Sequence, residues 1–244
     1  MKKHIFRPCP VCGNTDAGSV IFKGHVKDLM RLHCEQCNCA FFNRIIPKKP
    51  KYDWKYNQAF FKDSEINKAA VMSTIIIQHA RRIGKEATVF EIGVGNGLFL
   101  KRVQNAGIPC EGVDIDPELC DYLKTKEYLT VYSGGLEKLR LNKQFDIVYS
   151  SDVIEHFENP GRFMDQARKL ILPYGLLFLN TPDLDCSNNC DPLWHHFKTR
   201  APWEHACVLS PKAMITLAYK RGMAIVAINR TPAFGSFQTL MRKR

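Results

Sequence analysis

The sequence predicts an α/β fold, a doubly wound and mainly parallel sheet of seven strands, with a small cysteine-rich module ahead of it. Three observations predict it. From residue 87 onward, short runs of β-branched and aromatic residues alternate with runs of helical period, and that alternation implies a parallel sheet. The first strand runs directly into Glu91-Ile92-Gly93-Val94-Gly95-Asn96-Gly97, and Asp114 follows seventeen residues after the last glycine. That order is strand, glycine loop, helix, strand, carboxylate. Upstream of the alternation stand two Cys-x-x-Cys pairs.

Those pairs open the chain. Cys9-Pro10-Val11-Cys12 and Cys34-Glu35-Gln36-Cys37 are separated by twenty-one residues. Each turn presents two thiolates to one ion, and two turns complete a tetrahedral zinc site. Residues 1–46 therefore read as a zinc ribbon, with short strands around Val20 to Phe22 and Leu29 to Leu32. Four sulfur ligands leave no open position, so the zinc is structural. Cys39 and His33 lie close enough to substitute for a ligand, but four cysteines are the simpler set. Pro47-Lys48-Lys49-Pro50-Lys51 reads as a stiff, charged linker. Tyr52-Asp53-Trp54-Lys55-Tyr56 and Phe60-Phe61 complete a linker and lid over 47–63. Its aromatics either pack as buried payload or stack on nucleic acid.

The main domain spans 64–244. Ser64 is the expected N-cap of a helix to about Ile83, with Ile66, Ala69, Ala70, Ser73, Ile77 and Ala80 at helical spacing. Strands are then expected at 87–92, 109–114, 128–132, 145–150, 174–180, 223–229 and 235–242. Helices are expected at 96–106, 117–126, 160–171 and 210–221. The last two strands read as an antiparallel hairpin.

The glycine spacing narrows the ligand. A dinucleotide loop places its third Gly or Ala five positions after the first, and here that position is Leu98. No Lys-Ser or Lys-Thr follows, so a P-loop is excluded. Glu91, two residues before the first glycine, repels a pyrophosphate but suits a cationic ligand. Asp114 is placed to accept from two ribose hydroxyls. S-adenosylmethionine has a sulfonium, an ammonium and a ribose, and no phosphate.

The chain resembles the class I S-adenosylmethionine-dependent methyltransferases over roughly residues 64–244. Phe145-Asp146-Ile147-Val148-Tyr149-Ser150-Ser151-Asp152-Val153-Ile154-Glu155-His156 looks like that family's fourth strand and the turn after it. Pro173-Tyr174-Gly175 through Thr181-Pro182 looks like its approach and fifth strand. Glu204-His205 and the Ser210-Pro211 helix resemble the sugar and small-molecule C-methyltransferase branch, and an N-terminal zinc ribbon before this fold resembles the deoxysugar enzymes. The resemblance implies a Rossmann-like sheet with S-adenosylmethionine against Gly93, Gly95 and Gly97. Glu91 would orient the loop and the methionine end, and Asp114 and Ile115 the ribose and its surroundings. Gly135 and Leu136 would lie near the adenine, and Ser150 and Ser151 near the methyl group. Asp116 is either a second ribose contact or a helix cap. His156 is the first candidate general base and His205, beside Glu204, the second. His156 reads equally as a histidine that packs and holds its loop. Cys186, Cys190, His195, His196, His205 and Cys207 match no established metal spacing and read as a substrate loop.

The net charge is +11, and residues 1–62 hold twelve Lys and Arg against four Asp and Glu. An anionic or nucleotide-linked small-molecule acceptor fits that balance, and so does RNA. Against RNA, no Asn-Pro-Pro-Tyr-type base clamp follows the fourth strand. A non-catalytic, cofactor-binding or partner-recruiting protein is a third reading, which the intact Glu91, glycine and Asp114 set opposes. No apolar run is long enough for a transmembrane segment, and the N-terminus lacks a secretory pattern, so a cytoplasmic protein with reduced thiols is expected.

Overall fold

The computed structural model describes residues 7–16, 20–23, 30–45, 63–84, 86–186, 205–231 and 235–244. The expected linker and lid residues 47–62 lie outside them, as do Cys190, His195, His196 and Glu204. Strands β1 (Val20–Lys23), β2 (Met30–Cys34) and β3 (Cys39–Phe42) come first. Helix α1 (Asp63–Ile83) leads to β4 (Val89–Ile92), α2 (Leu98–Asn105), β5 (Cys110–Asp114), α3 (Pro117–Thr125) and β6 (Val131–Ser133). Strand β7 (Phe145–Ser151), a short 3-10 turn (Ile154–His156), α4 (Pro160–Lys169) and β8 (Ile171–Pro182) follow. Then come β9 (Cys207–Val208), α5 (Pro211–Lys220), β10 (Met223–Thr231) and β11 (Ser236–Lys243).

The seven-stranded sheet runs β10-β11-β8-β7-β4-β5-β6. Strand β4 pairs in parallel with β5 on one side and β7 on the other, and β6 extends β5 in parallel. The chain therefore winds outward from β4 through β5 and β6, then returns to β4's other edge. Ligands of open α/β sheets bind beyond the carboxyl end of the strand where the order reverses. Here that strand is β4, which delivers the glycine loop. Strands β10 and β11 are neighbours joined by four residues, a connection only an antiparallel pair can make.

The chain divides into two compact units. One comprises Lys51–Ser151, Gln166–Phe178 and Arg242–Arg244. Its strands are apolar because both faces are covered: Val89, Phe90, Ile147 and Val148 are fully buried. Helix α1 buries Met72, Ser73, Ile76 and Ala80, a stripe of helical period, while Ile66 is exposed. The stripe is rotated from the one expected, and the helix begins at Asp63, so Ser64 lies inside its first turn and is not its cap. Leu119, Cys120 and Leu123 of α3 pack with Val94, Leu100, Leu129 and Val131 into one apolar cluster. Strand β6 starts at Val131 because Tyr128 holds a left-handed backbone (φ 55°), which an extended strand cannot include.

The other unit comprises Met1–Pro50, Asp152–Asp165 and Leu179–Met241. A four-stranded sheet, β1-β2-β3-β9, organises it. Strands β3 and β9 are not among the expected elements. They pair antiparallel, Ala40 opposite Val208 and Phe41 opposite Cys207. Leu32, Phe41, Phe42, Cys207 and Val208 are all essentially inaccessible, so the cysteine module has a real apolar core. Ser210 caps α5 by accepting from the Ala213 amide at 3.1 Å. No helix among the described residues is long and apolar enough to cross a membrane.

Candidate active site

Strand β4 ends at Ile92, and the next residues turn away under the control of β5. The amides of Gly93 and Val94 donate to the Val113 carbonyl, at 2.8 and 3.3 Å. Gly97 adopts a left-handed backbone (φ 76°) as the N-cap of α2, and a Cβ there would lie 2.6 Å from Leu123 Cδ2. That conformation explains why α2 starts at Leu98 and not at Asn96. Opposite the loop, Gly112 of β5 has no room for a side chain: a Cβ would meet Val94 Cγ2 at 2.3 Å and the Glu91 carbonyl at 3.1 Å. Gly112 is a loop-forming residue that motif reading missed. Its only sequence signal is a lone glycine inside an expected strand, which marks a close backbone approach.

Asp114 ends β5 and locks the loop. The Gly95 amide donates to one carboxylate oxygen at 2.9 Å and the Asp116 amide to the other at 3.0 Å. Each oxygen keeps a further lone pair for an outside donor. Burial pushes the Asp114 carboxyl up, and the Gly95 and Asp116 amides pull it back down. Asp116 is itself buried and caps α3, its carboxylate accepting from the Glu118 and Leu119 amides at 3.0 and 3.2 Å. Of the two roles open to Asp116, the geometry gives it the cap.

Glu91 is 4% exposed, and its Oε2 has no hydrogen-bond partner among the described residues. Desolvation first, and the neighbouring Asp114 charge second, push its carboxyl well above the ordinary carboxylate range. A buried acid with an open acceptor at the base of a glycine loop fits a cationic group. Ile115, next to Asp114, is 53% exposed, a large apolar side chain left uncovered beside the carboxylate. Gly134 reaches back through its amide to the Asp114 carbonyl at 2.8 Å, and Gly135 and buried Leu136 follow it. The Ser150 hydroxyl donates to the Ile92 carbonyl at 2.9 Å, tying β7 to the end of β4. Ser151 is the last residue of β7 and is half-buried.

In the other unit, the turn after β7 carries Glu155 and His156 and packs against β9. Glu155 is fully buried, and Thr181 Oγ1 donates to its Oε2 at 3.0 Å. The His156 and His205 rings meet edge to face, 5.1 Å apart. The two candidate bases, far apart in sequence, are thus one cluster with Glu155. The cysteine module holds the His205 backbone: Arg31 Nη2 of β2 donates to its carbonyl at 2.7 Å. Arg31 is buried over the Phe42 ring, 4.2 Å from its centroid, and desolvation lowers its pKa to about 10.

The side chains of Cys9, Cys12, Cys34 and Cys37 converge, with their sulfurs all within 4.8 Å of one another. The Cys9–Cys37 and Cys12–Cys34 sulfurs are 3.6 and 3.5 Å apart. Thiolates about 2.3 Å from a tetrahedral zinc stand about 3.8 Å apart, so the set fits that ion. Cys39 touches Cys9 and Cys37, at 3.4 and 3.5 Å, and lies outside the group of four.

A family model described as a methyltransferase domain matches residues 65–228, more than half of the chain. The chain belongs to this methyltransferase-domain family. The matched span of this methyltransferase domain contains the glycine loop, Asp114, the Glu155-His156 turn and His205. The ubiquinone biosynthesis O-methyltransferase of Haemophilus ducreyi is 29% identical over 104 residues, 38% of this chain and 44% of that protein. The tRNA U34 carboxymethyltransferase of Pseudoalteromonas translucida is 31% identical over 129 residues, 49% of this chain and 40% of that protein. The chain thus spans less than half the length of these curated relatives. The N-methyltransferase NodS of Bradyrhizobium japonicum, solved with S-adenosyl-L-homocysteine, superposes with a TM-score of 0.52 at 16% identity. It covers 71% of this chain and 86% of its own, and it shows the shared fold.

Proposed function

We propose that the protein transfers a methyl group from S-adenosylmethionine to a small-molecule or sugar acceptor carrying an anionic or nucleotide-linked handle. The observation that carries the reading is the buried Glu91 with its open Oε2, beneath a loop that Asp114 locks through Gly95. The cofactor supplies a methyl group already activated on a sulfonium. The chain's work is then binding, alignment and exclusion of water. Glu91 answers the ammonium, the loop at Gly93, Gly95 and Gly97 gives the methionine portion a wall, and Asp114 accepts from the ribose. Ile115, Gly135 and Leu136 cover the adenine, an apolar contact that Ile115's exposure favours. Ser150 supports the loop through Ile92, and Ser151 stands at the end of the same strand. His156 or His205 takes the acceptor's proton where the accepting atom must lose one. Glu204 remains a candidate beside His205. Zn2+ on Cys9, Cys12, Cys34 and Cys37 is structural.

The test is calorimetric titration of zinc-replete protein with S-adenosylhomocysteine, in the parent, Asp114→Ala and Asp116→Ala. One-to-one binding is expected in the parent. Asp114→Ala should weaken it by about 10- to 100-fold, the loss of charge-assisted hydrogen bonds. Asp116→Ala should lower the melting temperature with little change in affinity, as a lost cap does. A folded parent that does not bind overturns the reading.

RNA is the second acceptor class, favoured by the +11 charge and its concentration in residues 1–62. It predicts tRNA binding that falls steeply with salt. No binding at low salt removes it.

A further inference from the structure

We propose that Glu155, His156 and His205 form a second metal centre, a two-histidine, one-carboxylate site for a divalent transition cation, separate from the four thiols. Their ligand atoms all lie within 4.8 Å of one another. Nitrogen and oxygen donors about 2.1 Å from an ion stand roughly 3–3.5 Å apart, so the rings need to close by about an ångström. Imidazole rotation supplies that movement, since both histidines are only half-buried.

The surroundings prepare each donor. Glu155 is fully buried, and the Thr181 hydroxyl orients its carboxylate at 3.0 Å. Outer-shell hydrogen bonds of this kind set the direction of a ligating carboxylate. His156 is its neighbour on the same short turn. His205 comes from a distant segment, yet its backbone is held at its own carbonyl and just after it. Arg31 donates to its carbonyl at 2.7 Å, and two residues later β9 joins the cysteine module's sheet. Two histidines and a carboxylate make an intermediate-hardness donor set, suited to Zn2+, Mn2+ or Fe2+. Among the described residues the cluster offers three protein ligands, which leaves coordination positions open, the arrangement of catalytic and not structural ions. Oxygen donors of an acceptor, a hydroxyl or an adjacent hydroxyl pair, are the ligands those positions would take. That last assignment rests on the methyl-transfer reading, and the metal site does not.

Cobalt distinguishes the two centres. Apo protein is loaded with Co2+ and freed of excess metal. Bound ions are counted, and spectra and S-adenosylhomocysteine affinity are recorded for the parent, His156→Ala and His205→Ala. Two ions per chain are expected in the parent. One gives intense near-ultraviolet thiolate charge-transfer bands, the other only weak visible bands. Each histidine variant should fall to one ion and lose the weak bands. The charge-transfer bands should persist, which reports that the variant is folded. One ion per chain in the parent overturns the proposal. So does a second ion that survives both substitutions, which is an adventitious ion only. Failure of S-adenosylhomocysteine to bind, with two ions present, would sink the methyl-transfer reading and leave the metal site standing.

Discussion

Glu91, proposed above to answer the cofactor's ammonium, would in that role trade apo stability for ligand binding. Its carboxyl is held well above the ordinary range, by burial first and by the Asp114 charge second. An acid whose folded pKa exceeds its unfolded value binds its proton more tightly when folded. This group's contribution is therefore fully present below the unfolded pKa of about 4.3, and it is lost as pH rises through the folded value. Glu91→Gln removes that loss. Without cofactor, the variant should melt higher than the parent at neutral pH, and the gap should close toward pH 4. Binding should move the other way. A neutral amide gives an ammonium no counter-charge, so S-adenosylmethionine affinity should drop by about tenfold or more, the worth of a hydrogen bond to a charged group. Melting curves of both proteins across pH 4 to 8 check the first half. Parallel profiles would mean that Glu91 is not the titrating group.

At the scale of elements, what could be read in advance was what lies close in sequence. The strand–glycine–helix–carboxylate order is local chemistry and legible in the sequence; the cap is one of the two roles the sequence leaves open to Asp116, and the expected helix 210–221 takes in Ser210, which the structure makes its cap. The expected main-sheet strands lie within a few residues of the observed ones. What escaped needed distant partners. Strand β9 is two residues long, and its identity as a strand comes from pairing with β3, more than 160 positions earlier. The meeting of His156 with His205 likewise joins distant segments and carries no local signal. Gly112 sits between the two cases, visible as a glycine in a strand but interpretable only once Val94 lies against it. Gly112→Ala should therefore act through the loop. The new Cβ would press on Val94 and the Glu91 carbonyl, costing about 1–3 kcal/mol as an overpacked site. Because the displaced atoms belong to the glycine loop, cofactor affinity should fall together with the melting temperature. An affinity equal to the parent's would show that the loop tolerates displacement.

At the scale of the whole molecule, the cysteine module pairs with one short segment inside the matched methyltransferase domain. The family match begins at residue 65, so the module stands outside it, yet β3 supplies the partner for β9 inside it. Strands average five or six residues, and a two-residue strand cannot order itself. Part of its order comes from β3, and part from Asp183 and Leu184, which bridge to Leu209; β3 belongs to a module whose core includes Cys9, Cys34 and Cys37 themselves. Small modules of this type draw their folding free energy from the metal, with apparent binding energies of about 10–16 kcal/mol. Chelation should then release residues 205–209 together with the module. Hydrogen exchange read peptide by peptide tests this. On stripping zinc, protection should collapse at 30–42 and 205–209, while β4, β5 and β7 keep theirs and S-adenosylhomocysteine still binds. If 205–209 stays protected after the module has opened, the pairing with β3 is incidental and the module has some other task. If protection is lost in both places at once, the four-cysteine set helps to hold His205 in position.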